Sequence, residues 1–347
     1  MSPKPVSRSG RAVTSPRGFD KELAELEALG LELKTGPGPN PAQVEQLRKA
    51  LTHRNNFLVS KAAKLIADAE LFPLLPDVLA AYDRFFIDAE KSDPQCWAKS
   101  ALAKTLVKLE HRAKDAYLRG MRHHQLEGTW GGSSDTAGAL RGTCTHALVD
   151  CPGISDAELL TALLEPLTDS DKTVRMEAAR AIAAVGGVSA ALILRLRARL
   201  AKDEPEAEVM GAVFSALLSL EGERAIALIA GYLEAGDDLS AEAAFALAAL
   251  RTPEALAALT DRYRAGTDTW FGSVLLSAIA LTRLPQAFDY LIAIVASDAR
   301  EAPAAIEAIG RSAPNADLHA RVQKAVEKTG SPRLERAMRQ HLPALPE

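Results

Sequence analysis

The chain reads as an all-α solenoid of about nine stacked helical hairpins, and three observations predict it. Aromatic residues make up only 5% of the chain while alanine and leucine dominate, a composition with high helix propensity that lets helices approach closely. Apolar residues recur at helical spacing in segment after segment. A similar helix pair then returns every 30 to 43 residues, and a period of that size marks a repeat array. Such an array grows without a second core, so 347 residues need not mean two or three globular domains.

The clearest unit runs from Leu159 to Ile182, with Val185 continuing its second stripe. Leu160, Leu163, Leu164 and Leu167 form one apolar stripe, and Val174, Ala178, Ala181, Ile182 and Val185 form a second. Between them, Asp169, Ser170 and Asp171 offer side-chain oxygens to the free amides that open the second helix. Gly186-Gly187 ends that helix, because glycine readily takes left-handed geometry. With Val174 as register mark, comparable second helices fall at Leu58, Trp97, Leu140, Val209, Leu239, Phe271 and Glu301. Small residues recur behind most marks, among them Ala62, Ala101, Cys144, Ala216, Ala243, Ala278 and Ala305. First helices precede them, as in Val44-Leu47-Leu51, Leu256-Leu259-Tyr263 and Tyr290-Leu291-Ile294. Val322 and Val326 begin a closing pair.

The run Asp171, Val174-Arg175 and Ala178-Ala179 resembles the second helix of the HEAT-repeat family. At this strength the resemblance covers one unit; the others match by pattern, with Arg141 in the Arg175 register. It implies a right-handed α-α superhelix whose second helices line the inner surface. It implies no single activity, since HEAT-like arrays serve as adaptors, transport receptors, lyase subunits and DNA glycosylases.

The expected organisation is a basic disordered tail over 1–20, carrying Lys4, Arg8, Arg11 and Arg17, followed by one array over 21–347. Three cysteines are too few for a disulfide framework and suit a reducing compartment. No apolar run reaches the roughly 20 residues of a membrane span, so the expected location is the cytoplasm. Charge is unevenly spread: 20 Lys and Arg against 15 Asp and Glu in residues 1–122, then 21 against 30 in the rest. A net of +5 followed by −9 bears on partners rather than fold.

One insertion, a loop over 122–138, interrupts a hairpin and contains Trp130 among glycines. Tryptophan is both a core filler and an anchor, so Trp130 is expected to fold back over a neighbouring hairpin, with a partner or ligand contact as the alternative. His123, His124, Cys144, His146 and Cys151 sit nearby. Cys144 and His146 are two positions apart on a helix and cannot share an ion, so no metal is expected; Cys144, Ala147, Leu148 and Cys151 share a core-like face. A basic segment runs from Lys99 to Arg122, with Lys104, Lys108 and Arg112 spaced along one helix face and Arg141 and Arg175 extending it if they line the inner curve. It is read first as a solvated face and second as a docking surface for phosphate or an acidic partner. Trp97 and Trp270 adjoin register marks and are expected to pack.

Phosphate loops, nucleophile elbows and paired-histidine helices are not visible in the sequence, and no cofactor is implied. The expected function is therefore a non-catalytic scaffold that receives a protein or peptide on the concave face of its array. The alternative is a DNA-binding or DNA glycosylase-type enzyme using the basic segment; nucleic acid is possible but not favoured.

Overall fold

In the computed structural model the described residues are 16–36, 38–312 and 314–342, and they are overwhelmingly helical. The chain divides into two compact units after Gly153, where one continuous array was expected.

The first unit contains α1 (Pro16–Thr35), α2 (Pro41–Leu51), α3 (Asn56–Asp68), α4 (Leu75–Arg84), α5 (Ala89–Ser92), α6 (Trp97–Lys108), α7 (Lys114–Met121) and α8 (Gly138–Ala147). Between α7 and α8 stand two strands, β1 (Leu126–Thr129) and β2 (Gly132–Asp135). Helix α1 opens at Pro16, so the last five residues of the segment read as a tail are helical; residues 1–15, with Lys4, Arg8 and Arg11, lie outside the described residues. Pairs α2/α3, α4/α6 and α7/α8 pack as hairpins, and α3, α6 and α8 stack in succession.

The second unit contains α9 (Asp156–Leu163), α10 (Lys172–Val185), α11 (Gly187–Arg199), α12 (Ala207–Glu221), α13 (Ile226–Ala230), α14 (Asp238–Leu250), α15 (Pro253–Arg264), α16 (Thr269–Leu281), α17 (Pro285–Ala296), α18 (Ala302–Arg311), α19 (Ala316–Thr329) and α20 (Pro332–His341). These form six consecutive hairpins, and the even-numbered helices from α10 to α20 stack one on the next.

Each register mark falls in, or one residue before, a second helix. The reason is visible in the core. Ala62, Ala63, Ala178, Ala179, Ala243, Ala244, Ala278 and Ala305 are fully buried where second helices meet, and alanine lets their backbones approach. Leucines such as Leu102, Leu217, Leu247 and Leu275 fill the space between, each contributing about 1.5–3 kcal/mol by its burial. Ala101, expected among the packing residues, is only part-buried; Ala98 and Ala103 take that place. The caps also follow the sequence. The Asp171 side chain accepts from the amides of Thr173 and Val174, and Gly186, at φ +81°, closes α10.

Candidate functional site

The insertion is a β-hairpin rather than an irregular loop. Leu126 pairs with Asp135 and Thr129 with Gly132, leaving Trp130-Gly131 as a two-residue turn. Gly131 takes φ +92°, a conformation that only glycine adopts cheaply. Trp130 is therefore at the tip, 105% exposed, and does not fold back as a plug.

The base of the hairpin is held by a polar network. Asp135 Oδ1 accepts from the amides of Ala137 and Gln125 at 3.0 and 3.1 Å. Its Oδ2 accepts from Arg141 Nη1 at 2.7 Å and meets His124 Nδ1 at 2.8 Å. Burial opposes ionisation here, but the two amides, His124 and Arg141 outweigh it and hold the Asp135 carboxyl at about 2. Arg141 is 1% exposed and also donates to the His123 carbonyl at 3.1 Å. It is a strut for the hairpin, not a cation on an inner curve.

A second layer lies beneath. Gln125, fully buried, donates from Nε2 to the Asp93 carbonyl at 2.8 Å and to Glu127 Oε1 at 2.5 Å. Glu127 in turn accepts from the Gln95 amide at 2.7 Å and from Thr136 Oγ1 at 3.0 Å. The Asp93 carboxylate has no solvent exposure; it caps the Ala98 and Lys99 amides at 2.8 and 2.9 Å and pairs with Lys99 Nζ at 3.1 Å. Asn56 adds a bond to it from α3 at 2.9 Å. Reaching α6 from Asp93 requires left-handed backbone at Gln95 (φ +63°) and Cys96 (φ +53°), a strain of about 1–3 kcal/mol each that the surrounding bonds offset.

His123 sits part-buried, edge-on to Phe86 with ring centroids 5.0 Å apart, and meets Gln125 Oε1 at 3.2 Å. Burial lowers its pKa below the ordinary histidine value. His123, His124 and Arg141 are thus gathered at the base of the hairpin, and Trp130 stands at its tip.

The basic segment does not stay together as one face. Helix α6 ends at Lys108, and Glu110 turns left-handed at φ +54°, so Arg112 leaves the line of Lys104 and Lys108. Lys99 is buried in its ion pair; Lys108 pairs with Glu70 at 2.6 Å; Arg119 pairs with Asp83 and covers Phe86 at 4.5 Å. Lys104 remains exposed. In the second unit Arg175 is also buried, bound to Glu204 through Nη2 at 2.6 Å and Nε at 3.0 Å and to the carbonyls of Asp169 and Ser170. It ties its own hairpin turn to the next rather than lining a binding face.

Cys144 and Cys151 are buried as expected, and His146 points to solvent. Among the described residues no three His, Cys, Asp or Glu side chains converge as a metal site. Burial pushes the thiols of Cys96 and Cys144 up to about 12, which keeps them protonated and poor nucleophiles. Trp97 and Trp270 are half-exposed rather than packed, with Trp97 edge-on to Phe57 at 5.6 Å. No described helix is long and apolar enough to cross a membrane.

Two surfaces were not foreseen. Val188, Leu192, Leu196 and Leu200 are 47 to 78% exposed along α11 and its C-terminal residue, one per turn. Their spacing of four is readable, but Ile193 and Leu194 make α11 apolar nearly all round, so the sequence does not show which side faces out. The other is a groove across α10, α12 and α14 of about 690 Å³. Its signal, small residues at 211, 212, 215, 216 and 219, is indistinguishable in sequence from core packing.

No family model matches this chain, and no curated protein matches it. Among solved structures it is similar to human deoxyhypusine hydroxylase in complex with glycerol, at 17% identity and a TM-score of 0.28, over 78% of this chain and 99% of that one. A likeness of that size carries no argument about what this chain does.

Proposed function

We propose that the protein is a non-catalytic interaction scaffold: a HEAT-like right-handed superhelix that works in the cytoplasm and anchors a protein partner through the hairpin at 126–135. The observation that carries this reading is Trp130, a fully exposed tryptophan at the tip of a hairpin whose base is locked by Asp135, Gln125 and Arg141. A large aromatic on a rigid mount loses little conformational freedom when it enters a pocket, and tryptophan is among the residues most enriched at the energetic centre of interfaces. Buried free thiols suit a reducing compartment, and their raised pKa values favour binding over chemistry.

The test is co-purification of a defined partner with the full-length chain. Trp130→Ala is expected to weaken that complex about thirtyfold or more, and deletion of 128–134 to abolish it. Thermal melting of Trp130→Ala should match the parent, because the indole is wholly solvated. A partner retained at full affinity by both variants would refute the proposal.

A further inference from the structure

The groove across α10, α12 and α14 lies within the second unit and is built differently from the hairpin site. Its floor is α12, where Gly211, Ala212 and Ser215 stand in place of larger residues and Ser215 is exposed. Gly211 is in mid-helix, where glycine costs about 1 kcal/mol relative to alanine. The carboxylate of Glu242 on α14 lies over it: a β-carbon at Gly211 would stand 2.0 Å from Glu242 Oε2. The glycine thus makes room for a carboxylate on the groove floor.

Among the described residues that carboxylate has no counter-ion. Among the described residues Glu242 makes no hydrogen bond and no ion pair, while Glu208 beside it is engaged by Lys172 at 3.1 Å and Arg180 on the far wall by Glu177 at 2.5 Å. Burial raises the Glu242 pKa, and Glu208 and Asp238 raise it further, so its surroundings are short of positive charge. One turn along α14, Phe245 is exposed at the groove edge and offers a ring face. The Ser215 hydroxyl likewise has no partner.

We infer that this groove docks a peptide segment of a partner protein that presents an arginine, its guanidinium on Glu242 and stacked against Phe245, with its backbone over Ser215. Arginine fits better than lysine because its planar guanidinium both forks onto a carboxylate and stacks on a ring. The complementarity matches the excess of acid over base in residues 123–347. The site is independent of Trp130.

An immobilised octapeptide library, with randomised flanks and a fixed central arginine, lysine, citrulline or glutamate, probes it with the full-length chain. Arginine peptides should be selected over lysine, and both over citrulline and glutamate. Glu242→Gln should reduce the arginine signal about tenfold to a hundredfold. Ser215→Trp, which fills the exposed groove and leaves every carboxylate in place, should abolish it. Glu223→Gln, an exposed acid outside the groove, should leave it unchanged, as should Trp130→Ala, which separates this site from the hairpin. Equal retention of arginine and citrulline peptides, or arginine binding that survives Ser215→Trp, would overturn the inference. So would a dimer in sedimentation that Ser215→Trp breaks without any peptide selection, because the occupant would then be a second copy.

Discussion

In the second unit α10, α12, α14 and α16 press alanine and leucine against one another, whereas the first unit buries Asp93, Lys99, Gln125 and Arg141 beneath its hairpin. The backbone differs in step. Among described non-glycine residues, Glu70, Asp88, Gln95, Cys96 and Glu110 take positive φ in the first unit, against Arg251, Arg283 and Asp298 in the second. Stacked alanines tolerate small adjustments, because dispersion and apolar burial are not directional. A buried polar network does not: each donor removed leaves a partner unsatisfied in a low dielectric. Bond geometry therefore governs the first unit beneath its hairpin, while the second, apart from the buried Arg175–Glu204 pair, is governed by shape, and the exposed tryptophan is mounted on the former.

Breaking the buried pair is the strongest test of that contrast. Asp93→Ala strands Lys99 without its charge partner and uncaps α6, so a loss of about 3–5 kcal/mol is expected. Hydrogen exchange should accelerate in α3, α6 and the hairpin while α14 and α16 keep their protection. Equal loosening of α14 would mean that the two units do not unfold separately.

Glycine substitutions sharpen the comparison at lower amplitude. A β-carbon at Gly120 would meet the Tyr82 hydroxyl at 2.3 Å and Cys144 Sγ at 2.4 Å, so Gly120→Ala should destabilise the first unit by about 1–3 kcal/mol in denaturant titration. Gly231 has helical backbone and open space around it, so Gly231→Ala should stabilise the second unit by about 0.4–1 kcal/mol. The same sign for both would remove the basis of the distinction.

Acid should loosen the hairpin. Burial holds His123 below the ordinary histidine pKa, so as pH drops below about 6.5 the unfolded chain takes up a proton that the folded imidazole resists, and stability falls. Asp135 contributes later, since its stabilisation is present above about pH 4 and is lost as pH falls through about 2. Exchange at 126–135, corrected for intrinsic rates, should rise modestly from pH 7 to pH 5. His123→Gln should flatten that rise, and a hairpin equally protected at both values would refute the assignment.

How much of this was legible in the sequence depends on range. The second helices were, because Ala178-Ala179 and its counterparts repeat a local pattern that packing alone demands. Arg175 was visible as a repeat feature but not as a buried strut, since its partner Glu204 lies 29 residues away. Lys99 reads as one more cation on a basic helix until the left-handed step at Gln95 and Cys96 folds Asp93 back onto it. Trp130 was singled out by composition, but its exposure depends on a strand register that Leu126–Asp135 barely advertises, with glycine and serine where β-branched residues would mark strands. The unpaired Glu242 had no sequence signal at all, because being without a partner is a property of space.

The hairpin tip has a practical consequence. Gly128, Gly131 and Gly132 have open space around them, and the last strand pair is Thr129 with Gly132. A foreign loop spliced in place of Trp130-Gly131 would leave the Asp135 and Gln125 bonds at the base intact. The protein would then serve as a display platform, carrying a grafted epitope or affinity tag on a stalk that its own helices hold upright.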